Sequence, residues 1–171
     1  MALDETVDIR VATEDDVPEI RRVIRSAILG LASRDYPPEV LENWGANSSA
    51  AVTRQQQAIR ESRELAWVAL AADTIVGFSA LDPQQCVVRA VYVAVEAARS
   101  GIGTRLLAAV EEKAHALRIA RLTLDSSLNA EPFYRYHGYI SLGECLHVLA
   151  TGVRMTAVRM EKILAGSTGT T

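Results

Sequence analysis

The sequence is short of cysteine, of lysine and of long apolar runs, and each shortage excludes something. Its two cysteines, Cys86 and Cys145, form no C-x-x-C pair and stand near no ligand-spaced histidine. Neither a metal site nor a disulfide framework is expected, and both thiols read as small core residues in a reducing compartment. No uninterrupted apolar run approaches the ~20 residues that span a bilayer. The acidic opening MALDETVDIR lacks the basic, apolar, small-residue order of a secretory signal. The expectation is therefore a cytoplasmic protein with no membrane partner. An excess of positive charge is missing too, since 18 Lys and Arg face 21 Asp and Glu with no run of like charge to hold a nucleic-acid backbone. Nucleic acid is not an expected partner. Internal repeats and low-complexity linkers are also lacking.

What is present is a 171-residue chain that is 49% hydrophobic and 23% charged, the composition of a compact soluble domain. At this length folding buries roughly 70% of the surface exposed by the unfolded chain. One domain over residues 1–165 is expected, followed by a frayed tail of small polar residues at 166–171. Only Lys113 and Lys162 are lysines. Because Arg is the bidentate phosphate binder, an Arg beside a glycine loop carries more weight than its neighbours.

Val7 to Val11 alternates as a strand, and Thr13 to Asp16 offers caps for a helix with Val17, Ile20, Ile24, Ala27 and Ile28 on one face. Pro18 belongs in a first turn, which favours Asp15 or Asp16 over Thr13 as the cap. Tyr36-Pro37-Pro38 opens a short helix through Val40, Leu41 and Trp44, ended by Gly45, and 53–63 is also helical. Leu65 to Ala71, Thr74 to Leu81 and Cys86 to Val93 are three successive strands, the first two joined by a hairpin at Ala72-Asp73. A long amphipathic helix carries Ile102, Leu106, Val110, Ala114 and Leu117 on one face. Leu122 to Leu124 is a short strand, Asp125 to Asn129 a run of capping side chains, and Ala130 to His137 a short helix closed by Gly138. Cys145 to Ala150 and Val153 to Ile163 form the last hairpin. An antiparallel meander followed by strand-helix-strand predicts an α/β (α+β) fold, a mixed sheet with helices on both faces.

Gly101-Ile102-Gly103 at a helix start places unpaired N–H groups and the positive helix end where an anion can approach. Arg99, Thr104 and Arg105 stand beside it. A dinucleotide loop fits poorly: Leu106 replaces the third glycine, and seven residues separate Val93 from Gly101. A Walker loop is excluded, because no Gly-Lys-Ser/Thr is present.

The stretches CVVRAVYVAVEAARSGIGTRLLAAVEEKA and LTLDSSLNAEPFYRYHGY resemble the strand, pyrophosphate loop and helix, and then the next strand and helix, of the GNAT superfamily of acetyl-CoA-dependent N-acetyltransferases. The capped first helix and the terminal hairpin are similar in order, so the resemblance spans nearly the whole chain. It implies a mixed, mostly antiparallel sheet and direct transfer of acetyl from acetyl-CoA to a primary amine in a ternary complex, without metal. The acceptor implied is a small-molecule or peptide amine. Arg99, Ser100, Gly101, Ile102, Gly103 and Thr104 are implied to cradle pyrophosphate, although Ala98 stands where the family has Gln or Arg. The backbone of Val91, Tyr92 and Val93 is implied to pair with the pantetheine arm, with the Val93 N–H, at a bulge, serving the oxyanion. Tyr134 is the implied acid, Phe133 either a packing residue or a contact of the cofactor, and Asn129 either a ligand of the cofactor arm or a helix cap.

The chemistry needs more. A lysine-like amine is neutral in only about one part in 2,500 at pH 7, a deficit of roughly 4.6 kcal/mol. The family's usual glutamate is missing from the strand holding Cys86, Val87 and Val88, and Asp82, Asp125, Glu131 and His147 are the alternatives, none favoured. The resemblance points to residues 33–44 for the acceptor, with Tyr36 and Trp44 in an aromatic and acidic wall completed by Asp35, Glu39 and Glu42. A non-catalytic acyl-CoA sensor of the same fold stays open, as does a homodimer through the terminal hairpin.

Overall fold

The computed structural model describes residues 7–164, so the tail read at 166–171 lies outside the described residues. The elements are β1 (Val7–Val11), α1 (Val17–Leu31), α2 (Pro38–Trp44), α3 (Ser49–Arg60), β2 (Leu65–Ala71), β3 (Thr74–Asp82), β4 (Val87–Val93), α4 (Ile102–Ala116), β5 (Arg121–Ser127), α5 (Glu131–Tyr136), β6 (Ile140–Val148) and β7 (Arg154–Ile163). All seven strands form one sheet in the order β1-β2-β3-β4-β5-β7-β6. Every neighbouring pair is antiparallel except β4 with β5.

The entry to α1 uses both of its candidate caps. Thr13 starts a short 3-10 turn and Asp16 is the N-cap of α1. The Asp16 carboxylate accepts the Thr13 N–H at 2.8 Å and both guanidinium N–H groups of Arg10 at 2.7 and 2.8 Å. One side chain thereby joins the end of β1 to the start of α1. The apolar stripe Val17, Ile20, Ile24, Ala27 and Ile28 is buried, as its helical spacing predicts.

Several boundaries differ from the sequence reading, and three of them have a local reason. Helix α3 begins at Ser49 rather than at residue 53, because the Ser48 hydroxyl accepts the Ala51 N–H at 3.2 Å and caps it earlier. Strand β5 runs on through Asp125, Ser126 and Ser127, since β7 supplies a seven-residue partner from Arg121↔Ile163 to Ser127↔Ala157. Strand β6 starts at Ile140 rather than Cys145, its register with β7 slipping between Ser141 and Gly143.

The core has two sides. On one, α1 and α2 lay Ile20, Val23, Ile24, Val40 and Leu41 against Phe78, Ala80 and Met155. On the other, α4 and α5 bring Leu107, Val110, Ala114 and Tyr134 onto Leu122, Leu124 and Met160. Gly77 sets the height of α4 over the sheet. A Cβ there would lie 2.7 Å from Leu106 Cδ1 and 3.0 Å from Ile102 Cγ2, so the bare backbone of β3 lets the first turns of α4 rest on it.

The hydrogen bonds from Arg10, with that from Thr13, outweigh burial and hold the Asp16 carboxyl below the ordinary carboxylate range. A depressed folded-state pKa adds stability that is complete above the unfolded value and lost as the pH falls through the folded one. Asp16→Ala is expected to cost about 1 kcal/mol at pH 7, the worth of a lost cap. The cost should shrink toward pH 3, as urea denaturation at the two pH values will measure.

Candidate active site

The site begins where the one parallel pair of strands comes apart. β4 and β5 share a single register pair, Val87↔Thr123, and the Thr123 N–H donates to the Cys86 carbonyl at 3.0 Å. Beyond that point they diverge. On the other side of β4, Val93 lies opposite Gly77, and the Ala94 N–H donates to the Val76 carbonyl at 2.9 Å. Antiparallel pairs alternate between bonded and non-bonded, so the N–H and C=O of Val91 and Val93 turn away from β3 and into the gap. The bulge expected at Val93 is elsewhere: the register slips between Ala80 and Leu81, which leaves Arg89 as the extra residue. Divergence from β5, and not a bulge, frees the Val93 amide.

The gap opens into a cleft of about 540 Å³. Its floor holds Val91, Tyr92 and Val93, and its far wall is the loop entering α4, with Ala98, Arg99, Gly101, Ile102, Gly103 and Thr104. Arg99 and Gly101 both take left-handed backbone conformations, at φ 60° and 80°. For Gly101 this costs little, whereas for Arg99 it is strain of the kind that collects at binding loops. The Arg105 N–H, bonded to the Gly101 carbonyl at 3.2 Å, is the first in α4 to reach a carbonyl. The N–H groups of Ile102, Gly103 and Thr104 precede it at the positive end of a 15-residue helix. A Cβ on Gly103 would come within 3.3 Å of the Phe133 ring. The Ser100 hydroxyl donates to the Ala97 carbonyl, so its side chain is committed to the loop and only its backbone is left to face the cleft.

Across the cleft stand Ser127, Asn129, Ala130 and Phe133. The N-cap of α5 is Ala130, so Asn129 is not the helix cap. Its Oδ1 is buried and has no hydrogen-bond partner. Tyr134 lies behind this wall, 7% exposed, with its ring edge-on to Phe133 and Tyr139 at 5.2 and 5.6 Å. Burial, with a smaller contribution from Tyr92, raises its hydroxyl pKa far above the ordinary phenol value. Its hydroxyl stays protonated at neutral pH, and Tyr134 is not among the residues that line the cleft.

The near wall is α1, contributing Ala27, Ile28, Leu31 and Ala32, together with Trp44 of α2. The Trp44 indole N–H donates to the Tyr92 hydroxyl at 3.0 Å. Tyr36 is off the wall. It is buried, donating to the Thr156 carbonyl at 2.6 Å and accepting the Leu128 N–H at 2.9 Å. Asp35, Glu39 and Glu42 are exposed away from the cleft, so the acidic part of the expected wall is not formed. Helical spacing had already marked Ala27 and Ile28 as core-facing; nothing in the pattern separates a residue facing the core from one facing a cleft.

None of the four residues weighed as a base lines the cleft. Asp82 caps its turn through the Gln84 and Gln85 N–H groups and pairs with Arg89 at 2.8 Å, and Glu131 pairs with Arg135 one helical turn on. Asp125 sits between Arg159 and His147, with His147 Nδ1 at 3.4 Å. Burial pushes the Asp125 carboxyl up, but Arg159 and His147 outweigh it and leave it below the usual range. Among the described residues no three His, Cys, Asp or Glu side chains gather as metal ligands, and no helix is long and apolar enough to cross a membrane.

A family model for the acetyltransferase (GNAT) domain matches residues 32–164. Comparison with curated proteins found no match. Among solved structures, a GCN5-related N-acetyltransferase from Rhodopseudomonas palustris superimposes with a TM-score of 0.82 at 28% identity, covering 96% of this chain and 99% of that one. The PaiA N-acetyltransferase of Thermoplasma acidophilum, in complex with coenzyme A, follows at 0.72 and 20% identity over 93% and 99% of the two chains. A phosphinothricin acetyltransferase from Sinorhizobium meliloti, in complex with acetyl-CoA, gives 0.69 and 20% over 97% and 92%. With its splayed sheet and open helix end, this chain belongs to the GNAT family of acetyltransferases and is an acyltransferase.

The orphaned amide makes a prediction that separates a ligand contact from a structural one. A buried polar atom without a partner costs about 1–3 kcal/mol. Asn129→Ala should therefore leave the unfolding free energy of the ligand-free protein unchanged or raised, whereas loss of a helix cap would lower it by about 1 kcal/mol. Thermal or urea unfolding decides between them.

Proposed function

We propose that the protein transfers the acetyl group of acetyl-CoA directly to a primary amine, with the cofactor lying in the gap between β4 and β5. The observation that carries this reading is the combination of free N–H groups at the head of α4 with the buried, unpartnered Oδ1 of Asn129 on the opposite wall. One end suits pyrophosphate and the other an amide N–H of the pantetheine arm. Acetyl-CoA supplies the activated acyl group as its thioester. The chain's part is to hold that thioester along the outward-turned N–H and C=O groups of Val91 and Val93, as an added strand would be held. The Val93 N–H then faces the oxygen that gains charge during attack.

Tyr134 is the proposed donor to the departing thiolate. Its raised pKa makes complete proton transfer to sulfur unfavourable, so its part is a hydrogen bond that strengthens as negative charge forms. Tyr134→Phe should lower kcat about tenfold or more, short of the 10²–10⁴ of full acid catalysis, and leave acetyl-CoA binding intact. Full activity in that variant would remove Tyr134 from the reaction.

Among the described residues the cleft wall carries no carboxylate and no imidazole. The amine is therefore read as arriving neutral or losing its proton to solvent, which favours α-amino groups with pKa of about 8 over lysine-like amines of about 10.4. The acceptor end, with Ile28, Leu31, Trp44 and Tyr92, suits an amine carrying apolar or aromatic substance. With two acceptors of different pKa, the acidic limb of kcat/KM against pH should move with the acceptor. A limb fixed at one pH for both would mean a base on the enzyme.

Acetyl-CoA, CoA, NADH and NADPH compared by thermal shift test the cofactor first. A ligand at 100 times its Kd adds about 2.7 kcal/mol, a rise of several degrees at this size. Acetyl-CoA and CoA should stabilise the protein and the nicotinamide nucleotides should not. Gly101→Val forces a β-branched residue into the left-handed region and should weaken CoA binding sharply. Acceptor-dependent release of free thiol distinguishes the transferase from a module that only senses acyl-CoA.

A further inference from the structure

His137 ends α5 and reaches the first turn of α4. Its Nε2 lies 3.1 Å from Thr104 Oγ1 in the first turn of α4. The imidazole is half-buried, edge-on to Phe133 at 4.7 Å and to Tyr136 at 5.2 Å. Thr104 lines the cleft.

A hydroxyl has one proton to give. If Thr104 gives it to Nε2, only oxygen lone pairs face the cleft, and they repel an anion. If Nε2 carries the hydrogen and donates it to Oγ1, the threonine proton is released toward the cleft. We propose that His137 is a positioning residue for the anion cradle, donating Nε2–H to Thr104 so that the Thr104 hydroxyl points at a phosphate oxygen of the bound coenzyme. The inference rests on the coenzyme A reading of the loop.

The surroundings favour control by tautomer rather than by charge. Glu111 of α4 and Lys162 of β7 act on the ring in opposite senses and are paired with each other at 2.9 Å, while the Tyr139 hydroxyl donates to Glu111 at 3.0 Å. On α5, Tyr136 and Arg135 are exposed, and Arg135 is paired with Glu131. Burial holds the imidazole below its ordinary range. At pH 7.5 the ring is neutral, and what matters is which nitrogen carries its single proton.

Titration calorimetry with CoA at pH 7.5 tests this on the full chain. His137→Leu and Thr104→Val should each weaken CoA binding about tenfold, the worth of one hydrogen bond to a charged group. The double variant should be no weaker than either single one, because both remove the same interaction. His137→Gln, whose amide N–H can replace the donor, should stay within about threefold of the unaltered protein. In turnover, the loss in His137→Leu should fall on KM for acetyl-CoA rather than on kcat. Nitrogen NMR of the CoA complex should find the His137 proton on Nε2, a readout that holds even where the leucine variant fails to fold. Unchanged affinity in His137→Leu, additive losses in the double variant, or a proton on Nδ1 overturns the inference. Failure of the unaltered protein to bind CoA overturns the cofactor reading itself, a distinguishable result.

Discussion

A single parallel register pair, Val87 with Thr123, joins the ladders of the two halves of the sheet, and the cleft geometry follows from how little of it there is. On either side the ladders are antiparallel and long, so neither β4 nor β5 can bend to close the gap without breaking its outer partner. The cleft is thus a property of the sheet rather than of a mobile loop. It exposes backbone groups that an ordinary interior strand would spend on its neighbour. Helix α4 is held beside that gap by Gly77, which admits Leu106 to the sheet surface and fixes where the open helix end stands.

Three open or strained features border the cleft. The free N–H groups of α4, the left-handed Arg99 and the buried Oδ1 of Asn129 all border one cavity. Away from the cleft, Asp16 meets Thr13 and Arg10, and Glu111 meets Tyr139 and Lys162. Groups left open along a cleft are stabilised by a ligand that fills it.

Much of this was legible before any coordinates. The order of elements follows from periodicity and turn residues, because α1 and α4 carry a clean helical stripe and Ala72-Asp73 and Gly152 mark hairpins. Strand ends were less legible. Asp125 to Ser127 are good capping residues in isolation, and only the seven-residue partner offered by β7 makes them strand. The glycine loop could be read from sequence because a left-handed residue before a helix is a local requirement. Asn129 could not be told from a cap, since the distinction depends on where α5 begins. The acidic acceptor wall failed because Asp35, Glu39 and Glu42 share a segment with Trp44 but point away from it, a matter of helix rotation. The pairing of His137 with Thr104 spans 33 residues and leaves no trace in any local pattern.

Tyr36 ties three separate parts of the chain to one point. Its one hydroxyl fastens the segment between α1 and α2 to β7 through Thr156, and to the turn after β5 through the Leu128 N–H. Leu128 is the residue immediately before Asn129. The segment that leads into the helix of Trp44 is therefore anchored one residue from Asn129, on the opposite wall of the cleft. Two walls of the cleft are thus fixed relative to each other from behind, through a single phenol.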